Sequence, residues 1–209
     1  EMQSLLAHTH NYVIWDDHDY GPNDADRSFV HKDLTLQAFK DFWPNPSFGI
    51  NGRPSPITQF RYNDCHFFAL DNRYFRESKK NQNPSILGKE QVNWLLEALS
   101  ASHSHYKFIM VGGQFLNTAK TYENHSNYAE ERQYILDEIK RRNIKDVIFL
   151  NGDRHHGEIS KLSVSENNTV YDITSSPLTA TARKKIKEEN DNRVSGSLIK
   201  ERHFTQISV

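Results

Sequence analysis

The sequence predicts an α/β domain. Apolar runs rich in β-branched and aromatic residues recur at 12–15, 107–111 and 146–150, each the length of a buried strand. Segment 89–99 places Val92, Leu95, Leu96 and Leu99 at i, i+3, i+4 and i+7, one apolar stripe on a helix. Strand and helix patterns that alternate along one chain call for a sheet with helices on its faces.

The first predicted strand, 12–15, runs straight into Asp16-Asp17-His18-Asp19-Tyr20-Gly21, and a polar loop at 21–27 follows. A helix is expected over 28–43, its irregular apolar face given by Phe29, Leu36, Phe39, Phe42 and Trp43. Pro44 and Pro46 end it. After a Gly/Pro/Asn-rich connector, runs 58–62 and 65–70 flank Asn63-Asp64, a two-residue hairpin signal. The helix at 89–99 precedes strand 107–111, which breaks at Gly112-Gly113. A further helix is expected at 128–142, with Asn127 as its cap and Glu130 three residues on. Strand 146–150 opens into Asn151-Gly152-Asp153-Arg154-His155-His156-Gly157. Short strands follow near 159–164 and 169–173, then a charged helix or loop at 183–192, and alternation over 204–209 predicts a last strand.

At 209 residues the chain fits a single domain with a sizeable core. With 26 basic and 27 acidic residues, a net charge of -1 argues against broad nucleic-acid binding. The single cysteine excludes a disulfide framework, and Cys65, inside an apolar run, reads as a packed core thiol. No segment reaches the apolar length of a transmembrane span, and no signal peptide precedes residue 1. The chain enters a strand and a candidate site almost at once and ends on a strand without a tail, so it reads as a fragment.

Two strand ends that each offer Asp and His suggest a metal site. Clustered carboxylates repel one another unless a cation or their own protonation offsets the charge. Asp17 and Asp153 offer hard oxygen donors and His155 a nitrogen, a mixture suited to divalent or trivalent metals. Two such ions could activate a water and clamp phosphoryl oxygens. His18, beside a proposed ligand and followed by Asp19, could hand a proton to a departing oxygen. The bland alternative makes Asp16 and Asp17 loop caps and His155 a surface residue. Both clusters together favour the metal. Neighbouring strand residues face opposite ways, so His156 is read as a non-ligand, and the remaining histidines have no supporting pattern.

The strings Trp15-Asp16-Asp17-His18-Asp19-Tyr20-Gly21, Leu70-Asp71-Asn72-Arg73-Tyr74-Phe75-Arg76 and Leu150-Asn151-Gly152-Asp153-Arg154-His155 closely resemble the alkaline phosphatase D-like metallophosphatases. Leu87-Gly88-Lys89-Glu90-Gln91 and Asp172-Ile173-Thr174-Ser175-Ser176-Pro177-Leu178 extend the resemblance in the right order. It implies the calcineurin-like metallophosphoesterase fold, an αββα sandwich of two sheets flanked by helices, of which this chain would be the C-terminal part. The implied activity is metal-dependent hydrolysis of small phosphate esters, monoester or diester. The implied cofactors are two metal ions, iron with calcium, or zinc, manganese or magnesium as in relatives.

By the same resemblance Asp17 is a ligand of the second metal, His18 faces the leaving group, and Asp19 orients it. Asp153 and His155 close the site, one for each metal. Gln114 stands where the wider superfamily often has a ligand histidine. Arg73 falls in a family-like motif and could reach a phosphate, or pair with Asp71. The family's opening metal-binding motifs would lie upstream of residue 1, in a missing N-terminal half on the same or another chain. The isolated chain is therefore expected to be inactive, although relatives are exported or periplasmic enzymes. The alternative function is a catalytically incomplete relative that binds phosphate or protein.

Overall fold

The computed structural model describes residues 3–209. Six strands form one mixed sheet: β1 (Thr58–Tyr62), β2 (Cys65–Ala69), β3 (Tyr106–Met110), β4 (Val147–Asn151), β5 (Glu158–Ser165) and β6 (Asn168–Thr174), in the order β1-β2-β3-β4-β6-β5. The inner four are parallel, and β1 and β5 pair antiparallel at the edges. The α/β class therefore holds. Asn63 turns the β1–β2 hairpin with a φ of 49°, a conformation asparagine tolerates.

Helices α4 (Lys89–Ser100) and α5 (Ala129–Arg141) bury their apolar stripes with one face of the sheet. Val92, Leu95, Leu96 and Leu99 of α4 meet Ile135 and Ile139 of α5 and Phe68, Ile109 and Phe149 of the sheet in one core. Each such side chain contributes about 1.5–3 kcal/mol by leaving water. Cys65 is buried, as expected of a core thiol. On the opposite face a cross-strand row, Phe60, Phe67, Phe108, Ile148 and Tyr171, follows the ladder register. Phe60 stacks on Phe67 at 4.8 Å and Phe67 on Phe108 at 5.1 Å, and Phe60, Phe67 and Ile148 are only half-buried.

Three expectations need correction. Residues 12–15 are not a strand. The Val13 N–H donates to the Asn45 side-chain oxygen and its carbonyl accepts from the Asn45 amide, so one side chain supplies the hydrogen bonds a partner strand would. An apolar run cannot reveal such a partner. Its Trp15 packs instead into a smaller cluster with Tyr20, Leu36 and Phe39, beneath α2 (Asp17–Tyr20) and α3 (Lys32–Phe42). Upstream lies a short exposed helix, α1 (Gln3–His8). The 128–142 helix is present, but Asn127 does not cap it. A 3-10 turn, His125–Tyr128, feeds into α5, and the Asn127 amide bonds the Tyr122 and Asn124 carbonyls. Residues 204–209 form no strand, while 183–192 are irregular, the loop form of that expectation.

A candidate metal centre at the carboxyl ends of the strands

Parallel strands all release their chains at one sheet edge, where α/β proteins build sites. Asp71-Asn72-Arg73 follows β2, Gly112-Gly113-Gln114 follows β3, Asp153 follows β4 and Ser176 follows β6. Asp16 and Asp17 come to the same edge from the opening segment, tethered by a hydrogen bond from Trp15 Nε1 to Asp71 Oδ1 at 2.8 Å. Gly112 makes room for them. A Cβ there would collide with the Asn72 amide and stand 2.8 Å from the Asp16 carboxyl group.

Five carboxylates meet here in two overlapping groups. Asp16, Glu123 and Asp153 each place an oxygen within 4.8 Å of the others, and so do Asp17, Asp24 and Glu123. Glu123 belongs to both. Asp17 is buried at the first turn of α2, where its oxygens accept the N–H groups of His18 (2.8 Å) and Asp24 (3.2 Å). Asp153 is partly exposed and left-handed, with a φ of 62°. Burial, and then the charges of Asp17 and Glu123, raise its pKa above the usual carboxylate range.

Asp16 is the most perturbed of the group. Burial pushes its pKa up to about 7 against the pull of Arg73, with Asp153 and Glu123 adding to the rise. Its Oδ1 accepts from Asn72 (3.0 Å) and from Arg73 Nε (2.6 Å), while its Oδ2 is buried with no hydrogen-bond partner. A buried, unpartnered carboxylate oxygen is costly. The Asp16 carboxylate also stands with oxygens of Glu123 and Asp153 within 4.8 Å, so the donor set fits a hard metal ion.

Glu123 escaped sequence reading, because its loop carries no motif and contacts made only on folding define its role. It is buried. Desolvation works to raise its pKa, but Arg73 and Arg76 outweigh it, and the group stays below the usual range. Arg73 spans the site: its guanidinium is fully buried and engages both Asp16 and Glu123, and its own N–H bonds Asp71. This geometry sets Arg73 against carboxylates rather than in open space. The side chain is spent on holding two carboxylates and turns no face to solvent.

The other predicted residues divide. His18 stands on α2 with its ring 78% exposed, Nε2 lying 3.9 Å from Asp17 Oδ2. Asp19 does not orient it. The Asp19 carboxylate turns back to accept the Asp16 N–H at 3.3 Å, so Asp17 is the carboxylate beside the imidazole. His155, left-handed like Asp153, belongs to neither carboxylate group. Its Nδ1 lies 2.7 Å from the Thr181 carbonyl, a bond that assigns the proton to Nδ1 and leaves Nε2 as an acceptor. Gln114 is fully committed: its Nε2 bonds Glu158 (2.6 Å) and Thr174 (2.9 Å), and its Oε1 accepts from Asn117 and Arg154. His156 is wholly buried in a bend rather than a strand, with Nε2 3.8 Å from Glu158, and belongs to neither carboxylate group.

The mixed sheet thus gathers carboxylates at the ends of its parallel strands, with an imidazole exposed at their rim. A family model described as PhoD-like phosphatase matches residues 1–207, and the chain belongs to that family. It is 26% identical over 192 residues to alkaline phosphatase D of Bacillus subtilis (strain 168), a match covering 75% of this chain and 33% of that protein. A solved structure of PhoD superposes with a TM-score of 0.76 at 23% identity, over 92% of this chain and 46% of that one, a likeness of fold. The chain thus spans about a third of the curated relative and under half of the solved one.

Proposed function

We propose that this chain is part of a metal-dependent phosphoric ester hydrolase. The observation that carries the reading is the buried, unpartnered Oδ2 of Asp16, set among carboxylates from separate segments in a chain of the PhoD-like phosphatase family. Asp16, Asp17, Glu123 and Asp153 would hold the metal, and His155 Nε2 would serve a second ion beside them. A metal bound there supplies an acidified water and positive charge for phosphate oxygens. His18, exposed at the rim beside Asp17, protonates the departing oxygen. Arg73 and Arg76 fix Glu123 and offset part of the carboxylate charge. Iron with calcium suits the oxygen-rich set and its imidazole, as do zinc, manganese or magnesium.

The remaining ligands are assigned to the part of the protein outside these 209 residues, as is a second sheet laid on the half-exposed row from Phe60 to Tyr171. The test is to assay both polypeptides against an aryl phosphate and an aryl phosphodiester, with iron, calcium, manganese or zinc supplied. The complete protein is expected to turn over at least one of them, and the 209-residue chain alone poorly or not at all. Inertness of the complete protein toward both classes would overturn the proposal and favour a phosphate- or protein-binding relative. Equal turnover by the short chain would show that its own residues complete the site.

A further inference from the structure

A cavity of about 910 Å³ opens between the segment after β2, the start of α3 and the first turn of α4. None of the clustered carboxylates lines it. Its walls are apolar and aromatic, from Ile50, Tyr74, Phe75 and Leu87. Four cations, Arg27, Lys32, Arg53 and Lys89, share the lining with two carboxylates. Both carboxylates are already matched: Glu77 pairs with Arg27 at 2.7 Å and Glu90 with Arg53 at 2.8 Å. Among the described residues, Lys32 and Lys89 have no carboxylate within 4.0 Å. Lys32 is nevertheless held in place, its ammonium donating to the Arg27 carbonyl at 3.0 Å and lying 4.4 Å from the centre of the Tyr74 ring. The Tyr74 hydroxyl is fixed in turn by Asp33 at 2.5 Å.

We propose that this cavity is a binding site for a small organic anion with an aromatic or apolar body. The volume is that of sites for drug-sized ligands, and such sites join apolar walls to a few placed polar groups. Tyr74, Phe75, Leu87 and Ile50 receive the body, and Lys32 and Lys89 receive the charge. Gly88 precedes α4 without a side chain, and its own N–H is taken by the Ser85 hydroxyl and the Glu131 carboxylate. The partnered acids exclude a cationic ligand, since a second cation would meet Lys32 and Lys89 unshielded. The inference stands apart from the proposed hydrolysis, and its test reads binding only.

Calorimetric titration of the complete protein with 2-naphthalenesulfonate should show one saturable site, and neutral 2-naphthol should bind at least about tenfold more weakly. Lys89→Glu, at an exposed position, and Lys32→Glu, at a half-buried one, should each weaken the sulfonate about tenfold or more. Asn93→Trp, which fills the cavity from the α4 side, should abolish binding. Inorganic phosphate, a probe for the carboxylate-lined centre, should not displace the sulfonate. Absence of binding, indifference to both charge reversals, or displacement by phosphate would overturn the assignment.

Discussion

Asp153→Ala in the complete protein is expected to lose bound metal and turnover together, whereas His18→Ala keeps the metal and loses turnover alone. Asp153 brings its carboxylate to Asp16 and Glu123 from the end of β4, and its pKa is raised by burial and then by the negative charges of Asp17 and Glu123. Removing it takes away a ligand and part of the reason a cation binds. His18 makes no such contribution. Its ring sits at the rim, mostly in solvent, where a leaving oxygen could reach it. General acid catalysis by a placed side chain is worth about 10²–10⁴-fold, and His18→Ala should cost in that range. Elemental analysis beside a turnover assay separates the two roles. Equal metal loss from both variants would remove the distinction.

The second large effect is on stability. Arg73→Met is expected to destabilise the protein by about 3–5 kcal/mol, because it strips the partner from two buried carboxylates at once. The guanidinium reaches Asp16 and Glu123 together and also touches the Ala25 carbonyl, so it ties the opening segment, the β2 end and the Glu123 loop into one unit. Arg76 still holds Glu123 in the variant, but Asp16 keeps only the Asn72 amide. Arg73→Lys should recover only part of the loss, since one ammonium cannot make the forked contact to both acids. Denaturant unfolding measures both variants, against total stabilities of about 5–15 kcal/mol for ordinary domains. A loss below about 1 kcal/mol for Arg73→Met would mean that the pairing is far weaker than its burial implies.

Much of this was legible in the residues, for identifiable reasons. Strand β4 and Asp153 stood out because a buried parallel strand is a continuous apolar run and its loop follows directly. The α4 stripe was equally plain, since helical spacing repeats within a dozen residues. The run 12–15 misled because burial and extension are shared by strands and by segments pinned by a side chain, here Asn45. Asp16 received no role of its own in the sequence because its neighbour Asp17 matched the expected ligand position. Only folding shows that Asn72 and Arg73 occupy one of its oxygens and leave the other bare. Glu123 gave no signal at all. Its partners Arg73 and Arg76 lie 50 and 47 residues away in sequence, and spacing carries no information over that distance. Arg73 was placed in its motif with two duties left open, since a sequence does not distinguish an arginine that meets substrate from one that braces the acids around it.

These carboxylates are proposed to hold a metal on which hydrolysis of phosphate esters depends. Exhaustive chelation of the complete protein, followed by elemental analysis and assay against an aryl phosphate and an aryl phosphodiester, is the decisive experiment. Metal is expected in the purified protein, with turnover lost in step with its removal and recovered when a suitable cation is returned. Full turnover by protein that contains no measurable metal would contradict the proposal.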